Sequence, residues 1–536
     1  MVVRIQNNVQ KQIYDAPLTP LEFILYPGAH ALLTPDKPAI VMHSTGQCMT
    51  YAQLEDRSRR LANWLRSLGL KRGDVIAMIA ENDARVFDVY WAAQRAGLYI
   101  TAINQRLHPN EMGYILKNSG SQVLFVGSCP EEASHCWTNI PALKHYVSFD
   151  GSRQGFLALE DVIANASNTR PASEPRGGDM LFSSGTTGRP KGVRQALPDR
   201  AVSDPGDTMV AMFGGIFGFN AQTIYLSPAP LYHAAPLRTC ATVHALGGTT
   251  IIMDKFDPET ALQAIEQWRI TAAQWVPTMF VRMLKLPLAV RERCDVSSMT
   301  MAIHAAAPCP VEVKRAMLQW WGPILHEYYS CTELNGMTMV SPEEWLRKPG
   351  AVGKPVLGTL HICDDTGVEL PVGRDGLVYF ERDALPFEYH GDPEKTRSTQ
   401  HPDHPSWTAV GDIGHVDVDG YLYLTDRSAF MIISGGVNIY PQEVENALTL
   451  HPAIADVAVI GVPDVEMGEQ VKAVVTLAPG QVASKELEAV IIEFAKSRVA
   501  SYKAPKSVDF VLTLPRTPTG KMLKGELRKT YWPAKV

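Results

Sequence analysis

Several kinds of feature are missing from this chain of 536 residues, and each absence removes a class of protein. The eight cysteines are scattered without a CxxC pair, so neither a disulfide framework nor a cysteine-based zinc site is indicated. No apolar run approaches the length of a membrane span, and the first residues lack the apolar core of a signal peptide. The net charge of −6, without a basic run, argues against nucleic-acid binding. We therefore expect a soluble protein of a reducing cytoplasm.

The chain is too long for one hydrophobic core, so at least two domains are expected. Residues 74–80, 97–102 and 121–126 are apolar runs of strand length, and residues 85–95 have helical spacing. This alternation predicts an α/β fold with parallel sheets flanked by helices in a large N-terminal domain, residues 1–426.

A small, mobile α+β domain is expected over residues 427–536. Residues 454–460 and 470–477 read as strands, and residues 486–499 read as a helix. The helix has four apolar residues predicted to share one face: Leu487, Val490, Ile491 and Phe494.

The most informative segment is residues 181–193, Leu-Phe-Ser-Ser-Gly-Thr-Thr-Gly-Arg-Pro-Lys-Gly-Val. Gly185 and Gly188 allow the main chain to approach an anion, and Lys191 supplies a point charge for a phosphate. A bare Ser/Gly cluster is also typical of a flexible surface loop, but the attached Arg-Pro-Lys-Gly favours phosphate binding. The segment is not a Walker A loop, because a proline precedes Lys191 and a glycine follows it.

Six segments in a fixed order resemble the motifs of the adenylate-forming superfamily, which includes acyl-CoA synthetases, peptide-synthetase adenylation domains and firefly-type luciferases. They are residues 181–193 (phosphate), 230–233 (acyl pocket), 329–333 (adenine and magnesium), 407–412 (ribose), 427 with 434–441 (domain junction) and 518–521 (C-terminal lysine). The resemblance covers nearly the whole chain, from about residue 20 to about residue 530.

The resemblance implies ATP, Mg²⁺ and CoA as cofactors and a reaction in two steps. A carboxylate first attacks the α-phosphorus of ATP and releases pyrophosphate. A thiolate then attacks the acyl-adenylate and releases AMP. Neither step needs a protein nucleophile, but both need charge stabilisation and in-line positioning.

The resemblance also assigns roles to residues. The catalytic positions are Lys521, Glu333, Thr332 and Lys191. The phosphate-binding positions are Ser183, Ser184, Gly185, Thr186, Thr187, Gly188 and Lys191. The remaining nucleotide-binding positions are Ala307, Pro308, Tyr329, Asp412, Arg427, Ser434, Gly435 and Gly436.

Within these sets, Tyr329 is expected to stack on adenine and Asp412 to accept hydrogen bonds from the ribose hydroxyls. Glu333 and Thr187 are the expected Mg²⁺ ligands, since Mg²⁺ prefers oxygen donors. Lys521 is expected to neutralise charge at the α-phosphate during adenylation only.

The acyl pocket is predicted to contain His233, Ala234, His304 and Ala305. We interpret His233 as a gate or pocket wall rather than a general base. Relatives that activate amino acids place an acidic residue just after the position of His233, and Ala234 cannot pair an ammonium group. The small residues predict an apolar carboxylic acid of the fatty, aryl or steroid side-chain type.

Two departures from the family pattern stand out. Ser330 replaces the glycine that usually follows the adenine tyrosine. At the junction, Ala429 and Phe430 replace the usual polar hinge residue and the acid after it. Because a hinge needs only residues that absorb φ/ψ changes, rotation of the small domain between the two steps is still expected.

An acyl-CoA synthetase is therefore the predicted function. An acyl-AMP ligase that delivers to a carrier-protein pantetheine would share every motif, so it remains an alternative. A non-catalytic nucleotide-binding scaffold is the alternative of another class, but the motif residues Lys191, Glu333, Asp412 and Lys521 argue against it. The resemblance also allows a homodimer.

Overall fold

The computed structural model describes residues 25–127, 136–137, 140–183, 190–427, 430–434, 437–516 and 522–532. The strands are β1 (Pro38–Met42), β2 (Cys48–Thr50), β3 (Val75–Ile79), β4 (Tyr99–Ile103), β5 (Val123–Val126), β6 (His145–Ser148), β7 (Leu157–Ala158), β8 (Gly178–Ser183), β9 (Lys191–Arg194), β10 (Ile224–Ser227), β11 (Thr249–Ile252), β12 (Ala272–Trp275), β13 (Met301–His304), β14 (Leu325–Tyr329), β15 (Met337–Val340), β16 (Lys354–Leu357), β17 (Thr359–Cys363), β18 (Gly376–Glu381), β19 (Glu388–Tyr389), β20 (Trp407–Thr408), β21 (Asp412–Val416), β22 (Leu422–Arg427), β23 (Ile432–Ser434), β24 (Val437–Ile439), β25 (Ile454–Asp464), β26 (Gly468–Leu477) and β27 (Ser507–Phe510).

The helices are α1 (Pro27–Leu33), α2 (Tyr51–Ser67), α3 (Val86–Ala96), α4 (Pro109–Ser119), α5 (Leu159–Asn165), α6 (Thr208–Gly215), α7 (Ala234–Ala245), α8 (Pro258–Trp268), α9 (Pro277–Leu284), α10 (Leu288–Arg293), α11 (Val311–Trp321), α12 (Pro342–Arg347), α13 (Pro393–Arg397), α14 (Pro441–Leu448), α15 (Lys485–Lys496) and α16 (Lys524–Tyr531). Among the described residues, no helix has both the length and the apolar character needed to cross a bilayer.

The chain divides into two compact units. The first lies within Met1–Gln274, Ala289–Met301 and Pro386–Thr396, and the second lies within Trp275–Leu288, Ala302–Leu385 and Arg397–Val536.

In the first unit, one sheet has the strand order β19-β9-β8-β4-β3-β5-β6-β7. Neighbouring strands are parallel from β8 through β4, β3, β5 and β6 to β7. At the other end of the sheet the pairs are antiparallel, β8 with β9 and β9 with β19. The strands β3, β4 and β5 are buried along their whole lengths, as expected for parallel strands covered on both faces. The strands β12, β10, β11, β1 and β2 also lie side by side in this unit.

The predicted strands and helix of the N-terminal region are confirmed, with ends shifted by one or two residues. Helix α3 connects β3 to β4 and is buried along its whole length. It ends at Gly97, whose φ of 73° lies in the left-handed region that glycine adopts readily at helix ends.

In the second unit, β13 and β14 are parallel, and β14, β15 and β16 are antiparallel. A separate sheet has the order β17-β18-β21-β22, with β20 paired to β18. The last sheet has the order β24-β23-β26-β25, with β27 parallel to β26.

The last sheet packs against α14 and α15 around a core that includes Val444, Val459 and Ile491. The two predicted strands and the predicted helix of this region are confirmed, and β25 extends four residues further than predicted. The prediction that Val490 faces the core is wrong, because 54% of its surface is exposed. The residues of this helix that pack in or against the core include Leu487, Ile491 and Phe494, which are spaced at i, i+4 and i+7 and share one face. Val490 lies beside that face.

Candidate active site

The strands β8 and β9 flank the glycine-rich segment in the first unit. Their register pairs Ser183 with Lys191, so the last residue of β8 lies opposite the first residue of β9. The Lys191 ammonium group lies 5.2 Å from the ring centroid of Tyr389, which belongs to the neighbouring strand β19. An aromatic face attracts a cation, so Tyr389 stabilises Lys191 at this place.

The other predicted residues of this segment cannot be placed. Ser184, Gly185, Thr186, Thr187 and Gly188 lie outside the described residues.

His233 is the residue that immediately precedes helix α7. The loop before it is held by Asn82, whose Oδ1 accepts a hydrogen bond of 2.8 Å from the Leu231 N–H. The Asn82 amide also donates to the Ala229 carbonyl at 3.1 Å. The His233 ring packs 4.5 Å from the Tyr232 ring, centroid to centroid. Asn82 is a positioning residue that the sequence does not reveal, because no local motif marks it.

Ala234 is the first residue of α7, and this helix is joined to β8 by a partly buried ion pair. The Arg238 guanidinium donates two hydrogen bonds, of 2.8 and 2.6 Å, to the Asp179 carboxylate. Such bidentate pairs fix geometry as well as adding energy. The helix that follows His233 is therefore held to the strand that leads to Ser183.

In the second unit, the adenine and ribose motifs meet. Tyr329 ends β14, Asp412 begins β21, and the Tyr329 hydroxyl donates a hydrogen bond of 2.7 Å to Asp412 Oδ2. The ring centroids of Tyr329 and Phe380 lie 6.2 Å apart, so Phe380 supports the tyrosine. The backbone register places Arg427 opposite Asp412. The structure thus brings together three residues that the sequence assigned to one nucleoside.

The hydrogen bonds that fix the loop carrying Thr332 and Glu333 include four with side-chain donors. Three of them are Ser330 Oγ to Gly336 O (2.8 Å), Cys331 Sγ to Asn335 Oδ1 (3.1 Å) and Asn335 Nδ2 to Thr408 O (3.0 Å). In the fourth, Arg382 Nη1 donates to the Leu334 carbonyl at 3.1 Å. Leu334 has a φ of 49°, an unfavourable value for a residue with a Cβ, and Arg382 helps to hold it.

Glu333 fits the Mg²⁺ ion that the family uses. Its side chain is buried, and the loop that carries it is tied to the ribose motif through Asn335. A carboxylate is a ligand that Mg²⁺ prefers. Proteins usually bind Mg²⁺ through one or two carboxylates and leave the other positions to phosphate oxygens and water. Among the described residues no group of three or more acidic, histidine or cysteine side chains forms a metal cage.

Cys331 is the thiol nearest to these groups in sequence. Burial, and then the negative charge of Glu333, raises the pKa of Cys331 well above its usual value. Since the thiolate is the reactive form, this shift disfavours Cys331 as a nucleophile.

His304 is the last residue of β13 and is fully buried. Its ring meets the Phe280 ring edge to face, with centroids 5.6 Å apart. Burial, and then the charge of Lys314, lowers the pKa of His304 well below its usual value, so the imidazole is neutral. Ala305 is also buried, whereas Ala307 and Pro308 are exposed.

Ser434 ends β23 and pairs with Val437, the first residue of β24. Gly435, Gly436 and Lys521 lie outside the described residues. Arg516 and Met522, on either side of the segment that carries Lys521, form an isolated antiparallel bridge.

Two family models match the chain. Residues 29–389 match the AMP-binding enzyme family, and residues 443–521 match the AMP-binding enzyme C-terminal domain. The chain is 32% identical to the long-chain-fatty-acid–CoA ligase FadD13 of Mycobacterium tuberculosis, over 94% of this chain and 97% of the relative. It is 34% identical to a feruloyl-CoA synthase of Amycolatopsis sp, over 94% of this chain and 98% of the relative.

Among solved structures, ATP-bound MatB from Rhodopseudomonas palustris resembles the chain with a TM-score of 0.79 and 29% sequence identity. The alignment covers 94% of this chain and 99% of MatB. The two matched family models, the two ligases and this fold confirm the family that the order of the motifs predicts. The chain therefore belongs to the AMP-binding enzyme family, as an AMP-forming acid–thiol ligase of the acyl-CoA synthetase type that uses ATP, Mg²⁺ and CoA.

Proposed function

We propose that this ligase activates an apolar carboxylic acid, of the fatty, aryl or steroid side-chain type, and transfers the acyl group to CoA. The observation that carries the proposal is the hydrogen bond between Tyr329 and Asp412, in the unit that also holds Glu333. These residues supply an aromatic face for adenine, an acceptor for ribose hydroxyls and a buried carboxylate for a divalent cation.

In the first step, the substrate carboxylate attacks the α-phosphorus of ATP, and pyrophosphate leaves. Negative charge builds up on the phosphate oxygens, so the protein must supply positive charge that is already in place. We assign this role to Lys191 and Lys521, with Thr332 at the α-phosphate. Glu333 would hold Mg²⁺, which neutralises phosphate charge when bound.

In the second step, the CoA thiolate attacks the acyl carbon of the adenylate, and AMP leaves. We assign Ser434, Gly435 and Gly436 to the face that is presented to CoA in this step. We also propose that the chain has two domains, residues 1–426 and 427–536, with a pivot near Ala429. Rotation of the smaller domain would exchange Lys521 for that face.

The class of acid is inferred from the residues around His233 and His304. Ala234 and Ala305 are small and uncharged, so neither can pair a substrate ammonium group or carboxylate. His304 is neutral because its pKa is lowered by burial, so it adds no charge beside Ala305. The names of the relatives, a fatty-acid ligase and a feruloyl-CoA synthase, point to apolar acids of the same kind.

Because the reaction consumes ATP and CoA, we place it in the cytoplasm. Assembly as a homodimer remains a prediction from the family resemblance.

The test is a pyrophosphate-release assay with acids of graded size: acetate, benzoates, C6–C16 fatty acids and steroid side-chain acids. Each is run with and without CoA, and the products are identified by mass. We expect one size class of apolar acid to give acyl-CoA, and acetate to react slowly. Acyl-AMP that accumulates whether or not CoA is present would instead favour delivery to a carrier protein. ATP binding without turnover of any acid would favour the non-catalytic scaffold.

A further inference from the structure

One carboxylate oxygen in the second unit contacts groups on both sides of the segment 305–310. Glu327 Oε2 accepts a hydrogen bond of 2.7 Å from Lys314 Nζ and lies 3.4 Å from His304 Nε2. His304 immediately precedes the segment, and Lys314 lies in the first turn of α11, which follows it. Because Glu327 is two residues before Tyr329 on β14, the same carboxylate also links the segment to the strand that carries Tyr329.

The segment that is held in this way contains a strained residue. Ala306 has a φ of 73°, in the left-handed region that is unfavourable for any residue with a Cβ. Such conformations persist only where the surrounding structure fixes them, and they are concentrated at functional sites. Ala306, Ala307 and Pro308 are exposed, whereas His304 and Ala305 are buried. The strained turn is therefore presented at the surface, on top of a buried support.

The support is built from buried charges. The Lys314 side chain is 0% exposed and the Glu327 side chain is 7% exposed. The Lys314 ammonium group also lies 4.9 Å from the Trp345 ring centroid, a favourable position for a cation. Loss of one partner of a buried pair leaves an uncompensated charge, so the pair resists separation. Since His304 is neutral, Glu327 forms its ion pair with Lys314.

We infer that Glu327 is a positioning residue for the nucleotide. Its carboxylate holds Lys314, at the start of α11, against β14, and the backbone register of β13 and β14 places Glu327 opposite His304. The two ends of the segment are thereby kept at a fixed separation, which keeps Ala306 in the left-handed conformation and so sets the shape of the segment. The inference rests on the proposed site, in which Ala307 and Pro308 contact the nucleotide. Weakening of the support should reduce ATP affinity more than the rate of chemistry, because the charged groups that stabilise the reacting phosphate lie elsewhere in the sequence.

The test uses the full chain and measures ATP binding by calorimetry in the presence of Mg²⁺, together with KM for ATP and kcat. Glu327→Gln should weaken ATP binding and raise KM by about tenfold. A change in affinity of about this size corresponds to the free energy of strain of one left-handed residue. The kcat at saturating ATP should change by less than the KM does. Ala306→Gly added to Glu327→Gln should restore the affinity, because glycine adopts a positive φ without strain.

Two controls separate positioning from general stability. Ala306→Gly alone should leave ATP affinity near that of the unmodified chain. Glu174→Gln is matched in burial, since its side chain is 8% exposed and it accepts a hydrogen bond of 2.6 Å from Arg95 in the first unit. Glu174→Gln should lower the unfolding temperature without changing ATP affinity.

If Glu327→Gln does not fold, the paired variant Lys314→Met, Glu327→Met removes both charges and leaves neither uncompensated. It should show the same loss of affinity and the same recovery with Ala306→Gly. Folded variants with unchanged ATP affinity, or a loss that Ala306→Gly does not reverse, would overturn the inference while leaving the proposed function intact. A failure of the proposed function would be seen in the unmodified chain, as an absence of ATP binding or of acyl-AMP formation.

Discussion

Tyr329 and Asp412 lie 83 residues apart in the chain and are joined by a hydrogen bond of 2.7 Å from the phenol to the carboxylate. The bond links the adenine motif to the ribose motif, so that one motif cannot shift without the other. The adjoining loop carries Glu333 and is tied to Thr408, in the ribose motif, through Asn335. The predicted nucleotide-binding residues of the second unit are therefore connected to one another by hydrogen bonds.

Removal of the phenol tests this connection. In Tyr329→Phe the aromatic ring is kept but the bond to Asp412 is lost. A hydrogen bond to a charged group contributes about 1.5–3 kcal/mol, so KM for ATP should rise by about tenfold or more while kcat changes less. Initial rates of pyrophosphate release at varied ATP measure both. Tyr421→Phe is the matched control, because it removes a phenol bond of 3.0 Å to Glu344 and should leave KM for ATP unchanged.

Neutralisation of the proposed Mg²⁺ ligand should affect the first step strongly. Glu333→Gln keeps the size of the side chain but removes its charge, so adenylation should fall by about 10²–10³-fold, as when one positioned charge-stabilising group is lost. Raised Mg²⁺ should recover part of the rate. Glu312→Gln, at an exposed position, is the control and should keep full activity. Equal rates of adenylation in the two variants would exclude Glu333 from the metal site.

Much of the fold follows from local patterns in the sequence. The apolar run at residues 74–80 became the buried strand β3, because a parallel strand covered on both faces needs apolar residues at every position. The error at Val490 has the same origin, since a sequence pattern gives the apolar residues of a helix but not the exact angle at which the helix meets its core.

Motifs in the sequence predict the nucleotide-binding residues, but they do not indicate the residues that support them. Glu327 and Lys314 read as ordinary surface charges in the sequence, and only the packing of α11 against β14 buries them together. Arg382 lies 48 residues from Leu334, and its bond to that carbonyl depends on how β18 packs. Supporting contacts of this kind are tertiary, so no local pattern indicates them.

The C-terminal lysine should be needed in one step only. Lys521→Ala should lower the rate of adenylation by about 10²–10³-fold, because the proposed role of Lys521 is to stabilise the charge of the transition state at the α-phosphate. Formation of the thioester from supplied acyl-AMP and CoA should be nearly unchanged. The two steps are measured separately, by pyrophosphate release and by acyl-CoA formation. Lys529→Ala, an exposed lysine of α16, is the control, and equal loss of both steps in Lys521→Ala would contradict the assigned role.

The close packing of Gly336 against Phe380 predicts a sensitive position. A Cβ at Gly336 would lie 2.0 Å from a carbon of the Phe380 ring, so Gly336→Ala must displace the ring that supports Tyr329. We expect a loss of about 1–3 kcal/mol in stability, as for other overpacked cores, together with a higher KM for ATP. Gly525→Ala is the control, because nothing lies within 4 Å of its Cβ position. Thermal unfolding of the two variants measures the loss of stability, and ATP kinetics measure the change in KM.

The buried histidine His244 predicts how the stability of the first unit depends on pH. Burial lowers the pKa of His244 to about 3, whereas the unfolded chain has the ordinary histidine value of about 6.5. Below about pH 6.5 the unfolded state binds a proton that the folded state does not. The contribution of His244 to the free energy of unfolding is therefore complete above that pH and falls by about 1.4 kcal/mol per pH unit as the pH decreases towards 3.

Urea unfolding between pH 7.5 and pH 5, followed by tryptophan fluorescence, measures this slope. His244→Gln should reduce the slope below about pH 6.5, even if it lowers the stability at every pH, because its side chain does not titrate. His404→Gln, at an exposed position, should keep the slope of the unmodified chain. An unchanged slope in His244→Gln would mean that His244 is charged in the folded state, and that its contacts with Thr250 at 2.9 Å and with the Phe87 ring do not require the neutral form.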